Sequence, residues 1–180
     1  IEQLLALHRV SLDIDGSELT VVGLNKAAQE VIADVYDQVA IKHQNIELEG
    51  ADVKIKGSLS SITILLRNLV DNASKYTPDH GTIRVTVRQK SNHANIRIED
   101  SGPGIPEHEY ARVLERFYRV GGDRNDANLV GRGLGLSIVS DIVRRHDGHM
   151  HLSRSSELGG LAVEIDFPLV IGMCSDESLV

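Results

Sequence analysis

The sequence predicts an α+β fold: a two-layer α/β sandwich in which a mixed sheet is covered on one face by about three helices. Three observations predict it. Apolar residues recur with helical spacing in three separated stretches. Between and after these, apolar and polar residues alternate with the period of a strand. The chain has 180 residues, of which 41% are hydrophobic and 25% charged, which suits one core and one domain.

The elements follow in order. Ile1, Leu4 and Leu5 have helical spacing in residues 1–9, which are too few to stand alone. The segment reads as a helix already under way in a piece of a longer chain. Asp13 to Ser17 is a turn or linker, and Leu19 to Val22 a short strand. Asn25 is placed to cap a helix running to about Lys42, with Ala28, Val31, Ile32, Val35 and Val39 on one face. Asn45–Leu48 and Val53–Lys56 read as short strands. The next helix runs from about Ser60 to Tyr76, with Ile62, Leu65, Leu66, Leu69 and Ala73 toward a core and Pro78 as its stop. Ile83, Val85 and Val87, then Ile96 and Ile98, alternate with polar residues on either side of a Ser91-Asn92-His93 turn. This is a hairpin with one wet face.

Residues 102–132 hold glycines, prolines and charges with little periodicity, and a loop of that length reads as a lid or as disorder. A helix over Leu134–His146 follows, with Ile138, Val139, Ile142 and Val143 inward and Gly148 as its stop. Met150–Ser153 and Ala162–Phe167 form a last hairpin. Residues past Leu169 read as a disordered tail.

Composition excludes several classes. A net charge of −7 argues against a broad nucleic-acid surface, so any bound phosphate must be held locally. One cysteine, Cys174, excludes a disulfide framework and a CxxC metal site. No apolar run approaches the ~20 residues of a membrane span, and no signal peptide is visible.

Four short segments carry chemistry. Asn68, Asn72 and Lys75 lie one turn after another on the flank of an apolar helix face. A half-buried carboxamide needs a partner, because leaving one unpaired costs ~1–3 kcal/mol; a bound ion or nucleotide would serve as well as protein. Asp100 ends a strand and is followed by Gly102 and Gly104, which let backbone approach a flat ligand. It reads either as an acceptor for an exocyclic amine such as adenine's, or as a solvated strand-end turn. Gly131, Gly133 and Gly135 precede a helix whose bare N–H groups suit phosphate; a flexible hinge is the other reading. Phe117 and Tyr118 are two of only six aromatics, set in this polar segment as a docking surface or as a pin for the lid. Arg116 and Arg119 flank them, able to meet phosphate or solvent. His146, His149 and His151 match no metal-ligand spacing, and His8 and His108 lack a supporting constellation.

Taken together, these segments resemble the catalytic, ATP-binding domain of bacterial two-component sensor histidine kinases, within the gyrase/Hsp90/histidine kinase/MutL superfamily. Asn68-x-x-x-Asn72 matches the N box, Asp100-x-Gly102-x-Gly104 the G1 box, Arg116-Phe117-Tyr118-Arg119 the F box and Gly131-x-Gly133-Leu134-Gly135 the G2 box. The similarity covers roughly residues 18–169. It implies a Bergerat-type fold with a long ATP lid, and ATP and Mg²⁺ as ligands. Asn72, with Asn68, would hold the metal. Lys75 would contact phosphate and Tyr76 would pack on adenine. Asp100 would take the adenine amine, with Gly102, Gly104 and Ile105 lining the base pocket. Arg119, with Arg116, would handle the γ-phosphate or dock the lid, and Tyr118 would join the nucleotide site. Gly131, Arg132, Gly133, Leu134, Gly135 and Leu136 would close on the phosphates. The catalytic group would be Asn68, Lys75, Arg116 and Arg119. Arg132 stands where such kinases often place Thr or Ser.

The resemblance also separates branches. Gyrase, Hsp90 and MutL resemble one another in carrying a Glu, four residues before the metal-binding Asn, that activates water. Here that position is Asn68, so transfer to an external acceptor fits better than hydrolysis. The implied acceptor is a histidine of a helical dimerisation domain upstream, with onward transfer to the aspartate of a response regulator receiver domain. Residues 1–12 would be a remnant of that domain and its linker, 13–170 the catalytic domain and 171–180 the tail. The implied setting is the cytoplasmic side of a bacterial inner-membrane protein. This chain would be monomeric and the full-length protein homodimeric, with no nucleic-acid partner and no direct membrane contact. An ATPase clamp of the gyrase or MutL type and an anti-sigma-type serine kinase are the alternatives.

Overall fold

The computed structural model describes residues 19–120 and 133–170. The expectations for residues 1–18, His8 among them, for Gly131 and Arg132, and for the tail with Cys174 lie outside the described residues.

Among the described residues, seven strands and three α-helices follow one another: β1 Thr20–Gly23, α1 Leu24–Ile41, β2 Asn45–Gly50, β3 Lys54–Gly57, α2 Leu59–Tyr76, β4 Thr82–Lys90, β5 His93–Asp100, α3 Gly135–Arg145, β6 His149–Arg154 and β7 Leu161–Pro168. Five strands form a mixed sheet in the order β2-β4-β5-β7-β6, in which only β2 and β4 pair in parallel. Strands β1 and β3 pair with each other in a separate two-stranded ladder. The expected mixed sheet is thus present, and the two short early strands stand beside it rather than in it.

Register sorts the sheet's two faces. Val85 opposes Ile98 and Val87 opposes Ile96; Ile98 and Ile96 in turn oppose Val163 and Ile165. All six are buried under the helices. The alternate positions are mostly polar or charged. Arg84 meets Glu47, Glu49 and Glu157, while Glu164 binds Lys90, Arg97 and Asn95. All of these but Glu47 line a cavity of about 340 Å³ on the sheet face opposite the described helices. Asp100 opposes Ile83, so it ends β5 on the helix side.

Helix α2 begins where expected. Ser58 caps it by accepting the Ser61 N–H at 3.3 Å. Its far end is held by Lys42, whose ammonium donates to Ser74 O at 2.6 Å and Thr77 O at 2.7 Å. Gln44 donates to the same two carbonyls. Helix α1 differs from expectation at its start. Asn25 lies inside the helix, and its N–H, with that of Lys26, is accepted by Asp52 Oδ1 from a distant loop. Residues 102–120 are not featureless: single 3₁₀ turns at Glu107–Glu109 and Arg112–Leu114 seat Val113 in the core.

Candidate functional site

Helix α2 carries Asn68 and Asn72 half-buried on the flank of its apolar face. Asn68 donates through Nδ2 to Ile64 O at 2.8 Å, which leaves its Oδ1 outward. The Asn72 side chain makes no hydrogen bond with the described residues. The first residue of α3, Gly135, lies directly against both. A Cβ there would stand 2.9 Å from Asn72 Nδ2 and 3.4 Å from Asn68 Oδ1. A side chain at 135 would fill the space that the two amides share with the helix terminus. Among the described residues no side chain caps that terminus, so its first N–H groups could receive an anion. Leu134 is buried at the cap, and Leu136 packs half-buried against the core. Gly133 takes φ of 68° and accepts the Phe117 N–H at 2.9 Å, which ties the start of α3 to the Phe117–Tyr118 segment.

Asp100 is 6% exposed. Its Oδ1 accepts the Gly102 N–H at 2.8 Å and the Leu161 N–H at 3.2 Å. Burial pushes the carboxyl up, and these two bonds only partly oppose that. Tyr76 stands at the end of α2 beside this group: a Cβ on Gly102 would lie 2.7 Å from Tyr76 O. Its ring is about half exposed, with Lys75 Nζ 4.9 Å from its centroid. Ile105 packs half-buried on the core, and Gly104 lies against Gly160. The fold therefore gathers Tyr76, Asp100 and Gly102 at one place, and Asn68, Asn72 and Gly135 at another, with α2 running through both.

The Arg116–Arg119 segment separates into roles. Arg116 pairs with Asp141 on α3 at 2.9 Å, and Asp141 also binds Arg144. Tyr118 donates its hydroxyl to Glu109, and Arg112 lies over its ring, 4.3 Å from the centroid. Arg119 is half-buried and has no ion pair or hydrogen bond with the described residues. Phe117 is 66% exposed. Tyr118 thus pins the segment, and Phe117 is left at the surface. The histidines form no metal cluster among the described residues. His146 instead accepts the Ser58 N–H through Nε2 and bonds Ile142 O through Nδ1, joining α3 to the start of α2.

One group of residues at this site has no signal in the sequence. Gly160 and Leu161, at the start of β7, close on Asp100 from behind. The Ser-Ser-Glu-Leu-Gly-Gly stretch reads as a turn, but nothing local says that β7 pairs beside β5.

An uncapped helix start, two carboxamides beside it and a buried carboxylate at the end of β5, near the far end of the same α2 helix, are the parts from which a nucleotide site could be built. Residues 57–171 match the histidine kinase-, DNA gyrase B- and HSP90-like ATPase family, and the chain belongs to that family. It is 32% identical over 168 residues to the sensor protein kinase PmrB of Pseudomonas aeruginosa, spanning 93% of this chain and 35% of that protein. It is 34% identical to the sensor protein BasS of Salmonella typhimurium, over 89% of this chain and 44% of BasS. The chain therefore spans less than half the length of these relatives. Among solved structures, the mycobacterial sensor histidine kinase MprB superposes with a TM-score of 0.75 at 28% identity, covering 84% of this chain and 97% of that one.

Proposed function

We propose that this chain is the ATP-binding half of a two-component sensor histidine kinase. It binds Mg-ATP and presents the γ-phosphoryl group to a histidine on a helical dimerisation domain. The observation that carries this reading is the unpaired Asn72 amide set against Gly135 at the open N-terminus of α3. Amide oxygens are hard donors that suit a magnesium ion which keeps most of its water and its phosphate ligands. Asn72 and Asn68 would hold that ion, and the ion would neutralise phosphate charge as the terminal group leaves. Gly133 to Leu136 would bind phosphate oxygens through main-chain N–H groups, with Gly131 and Arg132 beside them. Lys75 would add a cation. Asp100 would accept the adenine amine, with Tyr76, Gly102, Gly104 and Ile105 around the base.

Of the two arginines, Arg119 fits the phosphate role, because Arg116 is already held by Asp141. Tyr118 would contribute by anchoring the segment that bears Arg119. Transfer would break the bond between the γ-phosphorus and the bridging oxygen and form a phosphorus–nitrogen bond to the histidine ring, leaving ADP. An aspartate of a response regulator would then receive the group. Asn68 stands where a water-activating carboxylate would be needed, which favours transfer over an ATPase clamp. No described helix is long and apolar enough to cross a membrane. The parent protein would be a membrane sensor with this domain on its cytoplasmic side, working as a homodimer; the relatives' names support the sensor-kinase part of that reading.

Calorimetric titration of a non-hydrolysable Mg-ATP analogue tests the reading. Asn72→Ala should weaken binding by about tenfold or more, and only when magnesium is present. Absence of binding by the parent chain, or a magnesium-independent loss, would count against it.

A further inference from the structure

The turn between β6 and β7 is built onto β5 by an unbroken set of hydrogen bonds. Ser155 Oγ donates to Glu99 Oε1 at 2.8 Å and accepts the Leu158 N–H at 2.9 Å. Ser155 N donates to Gly160 O at 2.8 Å, and Gly159 N to Ser155 O at 3.1 Å. Gly160 N then donates to Asp100 O at 3.0 Å, and Leu161 N to Asp100 Oδ1 at 3.2 Å. Glu99 is buried and also bound by Arg97, so the hub is fixed at both ends.

At Gly160 the fit admits no side chain. A Cβ would stand 2.1 Å from Asp100 Oδ1, 2.3 Å from Asp100 O and 2.7 Å from Gly102 N. These distances are far inside van der Waals contact, and two of the three atoms are backbone. The carboxylate would have to rotate, and it would lose the bonds from Gly102 and Leu161 as it did so. Both of those bonds fall on Oδ1, which leaves Oδ2 as the oxygen available to a ligand.

We propose that Gly160 and Ser155 are positioning residues that fix the Asp100 carboxylate, so that the β6–β7 turn sets the selectivity for a purine bearing a 6-amino group. This rests on the reading of the chain as an ATP-binding domain. The turn touches no ligand itself; it acts by consuming Oδ1 and holding Oδ2 in one orientation.

The test compares Mg-ATP with the magnesium complex of purine riboside triphosphate, which has the same phosphates and lacks only the 6-amino group. Titrations use this chain, Gly160→Ala and Ser155→Ala, with thermal melts of each. The parent chain should prefer ATP by about tenfold or more, the value of a hydrogen bond to a charged acceptor. Gly160→Ala should bring that ratio to near one, and Ser155→Ala should lower it several-fold. A role confined to folding would weaken both nucleotides equally and keep the ratio. An unchanged ratio in a folded Gly160→Ala variant overturns the proposal. If that variant shows no cooperative melt, the ratio in Ser155→Ala decides. A parent chain that binds neither nucleotide would instead overturn the ATP-binding reading itself.

Discussion

Burial lifts the Asp100 carboxyl above the ordinary aspartate range, and the Gly102 and Leu161 N–H groups offset this only in part. Ionisation of this group is therefore less favourable in the folded chain than in the unfolded one. The stabilising contribution of this group is present below the ordinary aspartate value of about 3.8 and is lost as the pH rises through the folded value. At neutral pH the ionised carboxylate is kept at a cost in stability, as residues shaped for binding often are. Asp100→Asn keeps an acceptor for both N–H groups and removes the charge. It should raise Tm by about 2–4 °C while weakening ATP by tenfold or more, read by a thermal melt and a titration on the same sample. A fall in both would mean that the charge stabilises the strand end. Asp100 itself is legible in the sequence, because a strand-ending carboxylate before two glycines is a local pattern. Gly160 is not, because the demand for a glycine comes from an atom sixty residues away.

Helix α1 is an element whose start its own sequence does not reveal, for a physical reason. Asn25 has the right chemistry for a cap and sits one residue before the helical pattern becomes clear. The acceptor is instead Asp52, which reaches Asn25 N at 3.2 Å and Lys26 N at 3.4 Å. Asn25 is freed to donate to Gly50 O. Asp52→Ala should lower Tm by about 2–4 °C, the result of losing ~1 kcal/mol of capping, whereas Asp52→Asn should retain most of it. Equal melts for the parent and the alanine variant would remove Asp52 from the cap. Helix α2 was legible almost to the residue. Its apolar stripe and its proline stop are local features of the sequence, whereas the Ser58 cap emerges only from the structure. The β1–β3 ribbon was not, because a pairing between Val21 and Lys56 leaves no trace in either short segment.

Across the whole molecule, the open face of the sheet balances the buried one. Hydrogen bonding from Lys90 holds the Glu164 carboxyl below the ordinary glutamate range, against the effect of burial. Burial also acts against ionisation of Glu99, but bonds from Arg97 and Ser155 together outweigh it and lower its value. Both contributions are present above the ordinary glutamate value of 4.5 and are lost as the pH falls through the folded values. Glu164→Gln should therefore melt below the parent chain at pH 7, by an amount worth ~0.5–1 kcal/mol for this partly exposed group. The difference should close as the pH is taken well below 4.5, and a gap that persists there would point to packing rather than charge. The sandwich as a class was legible because periodicity decides layers. Strand order was not, because it depends on which distant edges meet. That order has a kinetic consequence. The β4–β5 hairpin joins neighbours in sequence, but the parallel seam between β2 and β4 must wait for β3 and all of α2 to be threaded between them. Folding should thus zip outward from the hairpin, with β2 the last strand of its side to be laid down. A newly made chain would meanwhile expose the β4 edge to whatever else can pair with it.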